Sequence, residues 1–212
     1  MAATATPSAI RIDRPAAGAA VGVPFEIAGR ANVFEAALVV QVLGPNGQAL
    51  CERHVQATSG TGTPGTWAAT MAFVPPPSAG TATIRAFSLS PRDGSEQNVV
   101  TRAVLVQADA PAIVIAQPRC NADVAQGSML NANGTASVFE ATLIVELRDA
   151  AGTVLVKQVV TADAAGPATG RWSTRLDVSR IVAGTYELVA YSASPRDGAP
   201  ENIFSIPVRI TV

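Results

Sequence analysis

Apolar and polar residues alternate along short segments of this chain, with the period of two that is typical of half-buried β-strands. In residues 142–148 one face carries only apolar side chains, those of Leu143, Val145 and Leu147. Residues 172–178 alternate in the same way, starting from Trp172. No segment keeps an apolar period of about 3.6 residues for the length of a helix, so the pattern predicts an all-β protein.

The alternating pattern occurs twice along the chain. The run GRANVFEAALVVQV at residues 29–42 returns as GTASVFEATLIVEL at residues 134–147, and SPRDG recurs at 90–94 and 194–198. The copies are therefore displaced by 105 positions at first and by 104 later. Because solenoid repeats have periods of roughly 20 to 50 residues, this repeat indicates two copies of a whole domain.

Each copy contains about seven strand-like runs, separated by turn sequences rich in glycine and proline, which end strands. In the first copy the runs occupy residues 10–12, 25–28, 37–43, 49–56, 66–73, 81–89 and 99–106. Seven short strands in about 100 residues predict an antiparallel β-sandwich of the immunoglobulin-like (fibronectin-III-like) class in each copy. A small closed barrel is the alternative all-β fold.

The repeat also predicts the domain boundaries. We expect a flexible leader at residues 1–8, a first immunoglobulin-like domain at 9–107, a short linker at 108–111 and a second immunoglobulin-like domain at 112–212. So short a linker predicts a semi-rigid pair. The leader lacks the basic and apolar regions of an intact export signal.

Composition limits the classes of partner. The chain has 212 residues, of which 48% are hydrophobic and 15% charged, with a formal net charge of −1. This length fits two domains of about 100 residues, each with its own core. The charged residues form no basic patch of the kind that binds phosphates, and no apolar run approaches the roughly 18 residues needed to span a bilayer. We therefore expect no nucleic-acid partner and no membrane span.

The two cysteines lie outside the repeated pattern. The counterpart of Cys51 is Val156, and Cys120 lies in an insertion of the second copy. Two unpaired thiols are therefore expected, with a bridge between them as the alternative. The cysteines therefore do not distinguish an oxidising from a reducing compartment.

A set of motif positions recurs in both copies: a Gly-x-Ala-x-x-Phe-Glu-Ala run before a strand, a tryptophan, and an Asp-Gly loop followed by asparagine. In the first copy these residues are Gly29, Ala31, Phe34, Glu35, Trp67, Asp93, Gly94 and Asn98. In the second copy they are Gly134, Ala136, Phe139, Glu140, Trp172, Asp197, Gly198 and Asn202. The combination resembles the immunoglobulin-like domain of bacterial spore germination, the module found beside germination protein M domains. This resemblance implies an exported, extracellular or envelope-associated bacterial protein that binds or supports rather than catalyses.

The carboxylates of the motif have a structural interpretation. Glu35 and Glu140 are expected to be partly buried and to pair with Arg92 or Arg196, because buried carboxylates need such partners. A carboxylate held for a ligand is the alternative. The remaining motif residues are assigned structural roles as well, above all as residues of tight turns, in which aspartate caps N–H groups and glycine takes a positive φ: Phe34, Asp93, Gly94, Asn98, Phe139, Asp197, Gly198 and Asn202.

Metal binding and catalysis find little support. A calcium site needs about six or seven oxygen ligands, whereas Glu35, Asp93 and Asn98 supply three, so neither a metal nor a cofactor is expected. The only histidine, His54, has Val159 as its counterpart, so a function shared by both copies cannot depend on it. No nucleophile motif or phosphate-binding loop occurs, and a glycosidase-like carboxylate pair is the remaining alternative. The sequence predicts that the protein is not an enzyme.

Two groups of large apolar residues receive different predictions. The tryptophans begin alternating strands and are expected in the core, with carbohydrate stacking as the alternative. The outward parity of two neighbouring strands predicts an exposed apolar stripe that contacts a partner. Its residues are Val39, Phe87, Leu89, Ile144 and Tyr191. If a bulge shifts the parity, these residues lie in the core instead.

The leading functional hypothesis is a non-enzymatic binding or structural module of the bacterial cell envelope, which holds protein or wall polymer and takes part in sporulation or germination. One alternative is a module that binds peptidoglycan or another glycan through exposed aromatic residues. Another is a rigid spacer that presents a partner domain.

Overall fold

A computed structural model describes residues 8–212, so all but the last residue of the predicted leader lies outside the described chain. The chain forms two compact units, here called domain 1 and domain 2. From residue 8 onward the regular structure is β-strand, apart from two single turns of 3-10 helix at Phe34–Ala36 and Phe139–Ala141. The predicted all-β class is therefore confirmed. No helix in this part of the chain has the length and hydropathy to cross a bilayer.

Between residues 8 and 106, domain 1 contains eight strands in two sheets. They are β1 (Ile10–Arg14), β2 (Ala20–Val21), β3 (Phe25–Ala31), β4 (Ala37–Leu43), β5 (Ala49–Gln56), β6 (Gly65–Met71), β7 (Gly80–Leu89) and β8 (Glu96–Val106). The smaller sheet has the order β1-β3-β6, and the larger has the order β2-β8-β7-β4-β5. Only the short pairing of β2 with β8 is parallel. Each of the seven predicted runs overlaps a strand, and the two-residue β2 is too short to show an alternating pattern.

Domain 2 repeats this arrangement strand for strand. Its strands are β9 (Ile113–Gln117), β10 (Asp123–Ala125), β11 (Met129–Ala136), β12 (Thr142–Arg148), β13 (Val154–Thr161), β14 (Gly170–Asp177), β15 (Gly184–Ala193) and β16 (Pro200–Thr211). The three-stranded sheet has the order β9-β11-β14, and the five-stranded sheet has the order β10-β16-β15-β12-β13. Each domain is thus a two-sheet sandwich, with β12 or its counterpart β4 inside the larger sheet.

The core of each domain lies between its two sheets. In β12 the predicted inward residues Leu143, Val145 and Leu147 are completely buried. Full burial of one such side chain stabilises the fold by about 1.5–3 kcal/mol, so the alternating pattern selects the face that turns inward. Trp67 and Trp172 are also buried, and the prediction that they are core residues is confirmed.

The first glycine of the repeated motif allows two strands to approach closely. A Cβ atom on Gly29 would lie 1.9 Å from the carbonyl oxygen of Arg11, and one on Gly134 would lie 1.8 Å from that of Val114. In both domains the neighbouring strand is the first one of the smaller sheet. No side chain fits between the two backbones, which explains why glycine occupies this position in both copies.

The cysteines differ from the sequence-based expectation. Neither is a free thiol, and both Cys51 and Cys120 are disulfide-bonded. The expectation of two unpaired thiols is therefore wrong. It relied on the failure of the cysteines to recur between the copies, but a disulfide depends on spatial proximity and does not require recurrence.

We expect Gly134→Ala to lower the free energy of unfolding of domain 2 by about 1–3 kcal/mol or more, because the added methyl group must push β9 away from β11. Chemical denaturation followed by tryptophan fluorescence measures the change. The matched control is Gly184→Ala, whose methyl group would meet only the Tyr186 side chain at 3.4 Å or more. Equal stability of the two variants would contradict the close approach.

Candidate binding surface

A left-handed turn leads into β4 in domain 1 and into β12 in domain 2. In domain 1, Glu35 has φ 52° and ψ 17°, and Ala36 has φ 57°. Their counterparts Glu140 and Ala141 have φ values of 53° and 55°. Two successive residues with positive φ define a type I′-like turn, a conformation that glycine or asparagine adopts far more readily than glutamate or alanine.

Backbone hydrogen bonds from neighbouring loops hold this turn in domain 1. Val33 accepts hydrogen bonds from the N–H groups of Ala36 at 3.1 Å and Thr61 at 3.0 Å. In addition, the side-chain amide of Gln56, at the end of β5, donates to the carbonyl oxygen of Glu35 at 3.2 Å. A Cβ atom on Gly60 would lie only 2.5 Å from the Val33 oxygen. The surrounding loop therefore imposes the strained conformation through contacts with the backbone.

The turn of domain 2 is held in an equivalent way. Val138 accepts hydrogen bonds from the N–H groups of Ala141 at 3.2 Å and Gly166 at 2.8 Å. The N–H of Ala162, which follows β13, donates to the carbonyl oxygen of Ala141 at 2.8 Å. The same strained backbone thus recurs on different loop sequences, which indicates that the turn geometry itself is retained.

The turn buries its alanine and exposes its phenylalanine. Ala36 and Ala141 are buried, whereas Phe34 is 54% exposed and Phe139 is 71% exposed. The sequence assigned both phenylalanines structural roles, and the structure places them at the surface. Their position between two strands, in a turn that both copies repeat, is a signal in the sequence that could have indicated exposure.

The turn glutamates do not occupy the predicted environment. Glu35 and Glu140 are exposed, as are Arg92 and Arg196, and no glutamate–arginine ion pair links these residues in the described structure. The prediction of partly buried, arginine-paired carboxylates is therefore wrong. The buried position of the turn belongs to the following alanine, because the left-handed backbone turns that residue inward.

An open groove adjoins the exposed phenylalanine of domain 1. It has a volume of about 460 Å³, and its lining includes Phe34, Val39, His54 and Leu89. Leu89 is exposed at the end of β7, whereas Val39 forms part of the groove floor. We call the exposed pair Phe34 and Leu89 the apolar corner of domain 1.

The corresponding surface of domain 2 has Ala193 in place of Leu89 and a different exposed apolar residue. Val159 replaces His54 and is 65% exposed. It pairs across the sheet with Ile144, just as His54 pairs with Val39. We call Phe139 and Val159 the apolar corner of domain 2.

The residues of the predicted apolar stripe lie on the outer face of the larger sheet, as expected, but most of their side chains are buried. Val39 pairs directly with Phe87, and Ile144 with Tyr191, across two neighbouring strands. However, Val39 and Phe87 are each only 4% exposed and Tyr191 only 6%. Ile144 is half-buried, and Leu89 alone is exposed. The predicted exposure of Val39, Phe87 and Tyr191 is therefore wrong, because polar side chains of the same face fold over the rings.

In domain 1 an arginine covers the ring. The guanidinium of Arg85 lies 4.7 Å from the centroid of the Phe87 ring, within the range of a cation–π contact. Arg85 Nη1 also donates to Glu96 Oε1 at 2.9 Å. The hydrogen bond to Glu96 raises the pKa of Arg85, and the same bond lowers the pKa of Glu96.

In domain 2 a network centred on a buried carboxylate covers the ring. Glu146 is only 2% exposed. It accepts a hydrogen bond from the Tyr191 hydroxyl at 2.9 Å and from Arg148 Nε at 2.8 Å, and Lys157 Nζ lies 3.4 Å away. Burial alone raises the pKa of Glu146, but the hydrogen bonds from Arg148 and Tyr191 outweigh it and hold this pKa below the ordinary value.

The Asp-Gly residues lie in tight turns. Asp93 Oδ1 accepts the N–H of Ser95 at 3.0 Å, and Asp197 Oδ1 accepts the N–H of Ala199 at 3.1 Å. Gly94 and Gly198 have φ values of 72° and 74°. The hydrogen bonds from Ser95 lower the pKa of Asp93.

The motif asparagines occupy bulges of the larger sheets. Asn98 and Asn202 have φ values of 56° and 55°, and each donates its side-chain amide to a serine hydroxyl at 2.9 Å.

Across residues 8–212, no group of three or more His, Cys, Asp or Glu side chains is arranged to hold a metal ion.

Comparison with protein families matches residues 9–95 and 112–199 to the family described as the immunoglobulin-like domain of bacterial spore germination. The two matched segments correspond to the two copies of the repeat. No curated protein sequence matches this chain.

Two solved structures illustrate its similarity to tandem modules. A tetra-tandem repeat in the extending region of a large adhesion protein matches with 17% identity and a TM-score of 0.35, over 92% of this chain. The chain spans about half of that structure, 50% of its length. The fibronectin(III)-like modules of Clostridium thermocellum CbhA match with 17% identity and a TM-score of 0.30, over 95% of this chain and 94% of theirs.

We expect Glu146→Gln to lower the unfolding free energy of domain 2 at pH 7 by about 1–3 kcal/mol, because it weakens charged hydrogen bonds in a buried network. The lowered pKa of Glu146 predicts that its contribution is complete above the ordinary value of 4.5 and is lost as the pH falls through the folded-state value. The unfolding free energy, measured by denaturation at several pH values from 7 to 3, should therefore fall more steeply with decreasing pH for the parent than for the variant. Glu201→Gln, at an exposed position, is the control, and identical pH profiles of parent and Glu146→Gln would refute the argument.

We expect Glu140→Asn to raise the unfolding free energy of domain 2 by up to about 1 kcal/mol, because asparagine tolerates the left-handed conformation better than glutamate. Thermal unfolding followed by circular dichroism measures the effect. The control is Glu201→Asn, which lies in an extended strand and gains nothing from this tolerance. A clear loss of stability in Glu140→Asn would show that the glutamate side chain stabilises the fold.

Proposed function

We propose that this chain, which belongs to the family of immunoglobulin-like domains of bacterial spore germination, is a non-catalytic module of the bacterial cell envelope. In this proposal it binds a protein partner through its two apolar corners. The observation that carries the proposal is the exposure of Phe34 and Phe139, at equivalent positions, on turns whose backbone is strained in both domains.

The strained turns support a binding role because they do more than close a loop. A turn that only connected two strands would be served as well by glycine or asparagine, with less strain. Here the loop contacts hold glutamate and alanine in the left-handed region and leave a large aromatic side chain in water. Exposed apolar groups of this kind are enriched at contact surfaces between proteins.

The chemistry of the corners favours a protein over a glycan. Sugar sites combine aromatic faces with polar groups that orient the hydroxyls. The groove of domain 1 offers His54 and Gln56 for that purpose, which makes a glycan the second candidate. Domain 2, however, has Val159 in place of His54 and Thr161 in place of Gln56, so these two polar groups are not common to both domains.

Two observations support an envelope location. The family description places related domains in bacterial spore germination, and both cysteines are disulfide-bonded. Disulfides persist in oxidising compartments outside the cytosol. A part in sporulation or germination belongs to the same proposal and follows from the family alone.

We expect the double variant Phe34→Ser/Phe139→Ser to lose about tenfold or more in affinity for bacterial envelope fragments, because exposed aromatic anchors dominate the energy of protein interfaces. Co-sedimentation of the purified chain with the fragments measures binding. Proteinase treatment of the fragments should abolish binding by the parent.

The control for this experiment is Val182→Ser, which removes another exposed apolar side chain far from the turns in sequence. Unchanged binding of the double variant would overturn the role of the corners. Binding that survives on proteinase-treated glycan sacculi would replace the protein partner with a glycan. No binding by the folded parent would favour a spacer.

A further inference from the structure

Strand β13 forms an open edge of the larger sheet in domain 2. It lies last in the order β10-β16-β15-β12-β13, and the strand it pairs with is β12. Strand β13 also lies beside β14 of the smaller sheet without forming a ladder with it. Just beyond the end of β13, the N–H of Asp163 donates to the carbonyl oxygen of Arg171 at 3.0 Å. The free side of β13 therefore presents a row of backbone donors and acceptors that can pair with a further strand.

The sequence of β13 does not protect this edge. The eight residues are Val-Leu-Val-Lys-Gln-Val-Val-Thr, without proline or glycine and with one charge. That charge, on Lys157, is already directed to Glu146 at 3.4 Å. Val154, Leu155 and Val159 are exposed. Monomeric proteins usually protect such edges with charges, proline or bulges, and the only register shift against β12 lies near the start of the strand, after Val154.

The equivalent edge of domain 1 carries the protection that β13 lacks. Strand β5 has Glu52, Arg53 and His54 at the positions of Lys157, Gln158 and Val159. Because the two strands occupy the same place in the same fold, packing does not require the apolar sequence of β13. A separate cause is needed for it.

We propose that β13 is a self-association surface, on which the β13 strands of two copies of this chain pair antiparallel and join their five-stranded sheets. A strand edge is complementary to an antiparallel copy of itself, and the pairing would cover the exposed valine and leucine side chains. A formal net charge of −1 opposes such an approach only weakly.

The faces of β13 restrict the register of this pairing. Val159 and Lys157 lie on the outer face, opposite Ile144 and Glu146, whereas Val156 and Gln158 lie on the inner face. When two sheets join edge to edge about a two-fold axis, outer residues must oppose outer residues. One residue of β13 must therefore lie opposite its own copy across the two-fold axis. The two residues nearest the middle of the strand are Lys157 and Gln158.

Charge decides between these two centres. An axis at Lys157 places the two lysines opposite each other, which is unfavourable. An axis at Gln158 places two amides opposite each other, and it pairs Lys157 with Val159 of the second copy. The geometry therefore points to a dimer centred on Gln158. This inference does not depend on the proposed function, and only Val159 is shared with an apolar corner.

The test uses two opposite charges at one exposed position. With the axis at Gln158, Val159→Lys places a second lysine opposite Lys157 at two places in the dimer, and Val159→Glu places a carboxylate there instead. We expect Val159→Lys to raise the dimer dissociation constant about threefold or more and Val159→Glu to lower it. Sedimentation equilibrium of the full chain over a concentration series measures both values, and circular dichroism confirms folding.

The matched control is His54→Lys, at the equivalent position of the protected edge β5, which should leave the dissociation constant unchanged. A monomeric parent at every concentration would overturn the proposal and leave an extended segment of another protein as the occupant of the edge. Equal weakening by both Val159 variants would overturn the Gln158 register, since neither charge would then face Lys157. A His54→Lys effect as large as that of Val159→Lys would overturn the assignment to β13.

Discussion

The strand next to the edge of each larger sheet, β4 or β12, is buried along its inner face and partly buried on its outer face, and this burial constrains the side chains around it. The inner face of β12 is completely buried against the smaller sheet, and on its outer face Glu146 is buried as well. A carboxylate at such a position must be satisfied by partners. The Tyr191, Arg148 and Lys157 contacts supply them, and the same groups cover the aromatic ring beside the strand.

The two domains meet this constraint with different residues. In domain 1 Arg85, on strand β7, covers Phe87, whereas in domain 2 Arg148, on strand β12, covers Tyr191. The covered ring and the left-handed turn recur in both domains, while the strand that supplies the cation does not. The features that recur are thus the geometry of the outer face and the exposure of the turn phenylalanine. The polar residues around them differ as a group between the two domains, as expected for side chains that stabilise one another.

Duplication also separates structural requirements from other causes. Gly29 and Gly134 recur because no side chain fits between the strands they join. At the edges of the larger sheets, by contrast, β5 carries Glu52, Arg53 and His54 where β13 carries Lys157, Gln158 and Val159, although both strands occupy the same position in the fold. A difference of this kind has no cause in the packing of the domain. It is the difference on which the proposed self-association of β13 rests.

The repeat, the strands and the inward face can all be read from the sequence, because burial imposes a period of two that is visible in residues such as Leu143, Val145 and Leu147. The same pattern correctly assigns Phe87 and Tyr191 to the outer face. The covering of these rings and the exposure of Phe34 and Phe139 are visible only in the folded chain. The covering of the rings depends on partners from neighbouring strands, because Arg85 is held by Glu96 on β8 and Arg148 on β12 lies over Tyr191 on β15. The exposure of the phenylalanines depends on a left-handed turn held by a distant loop. Neither relation leaves a periodic trace along the chain.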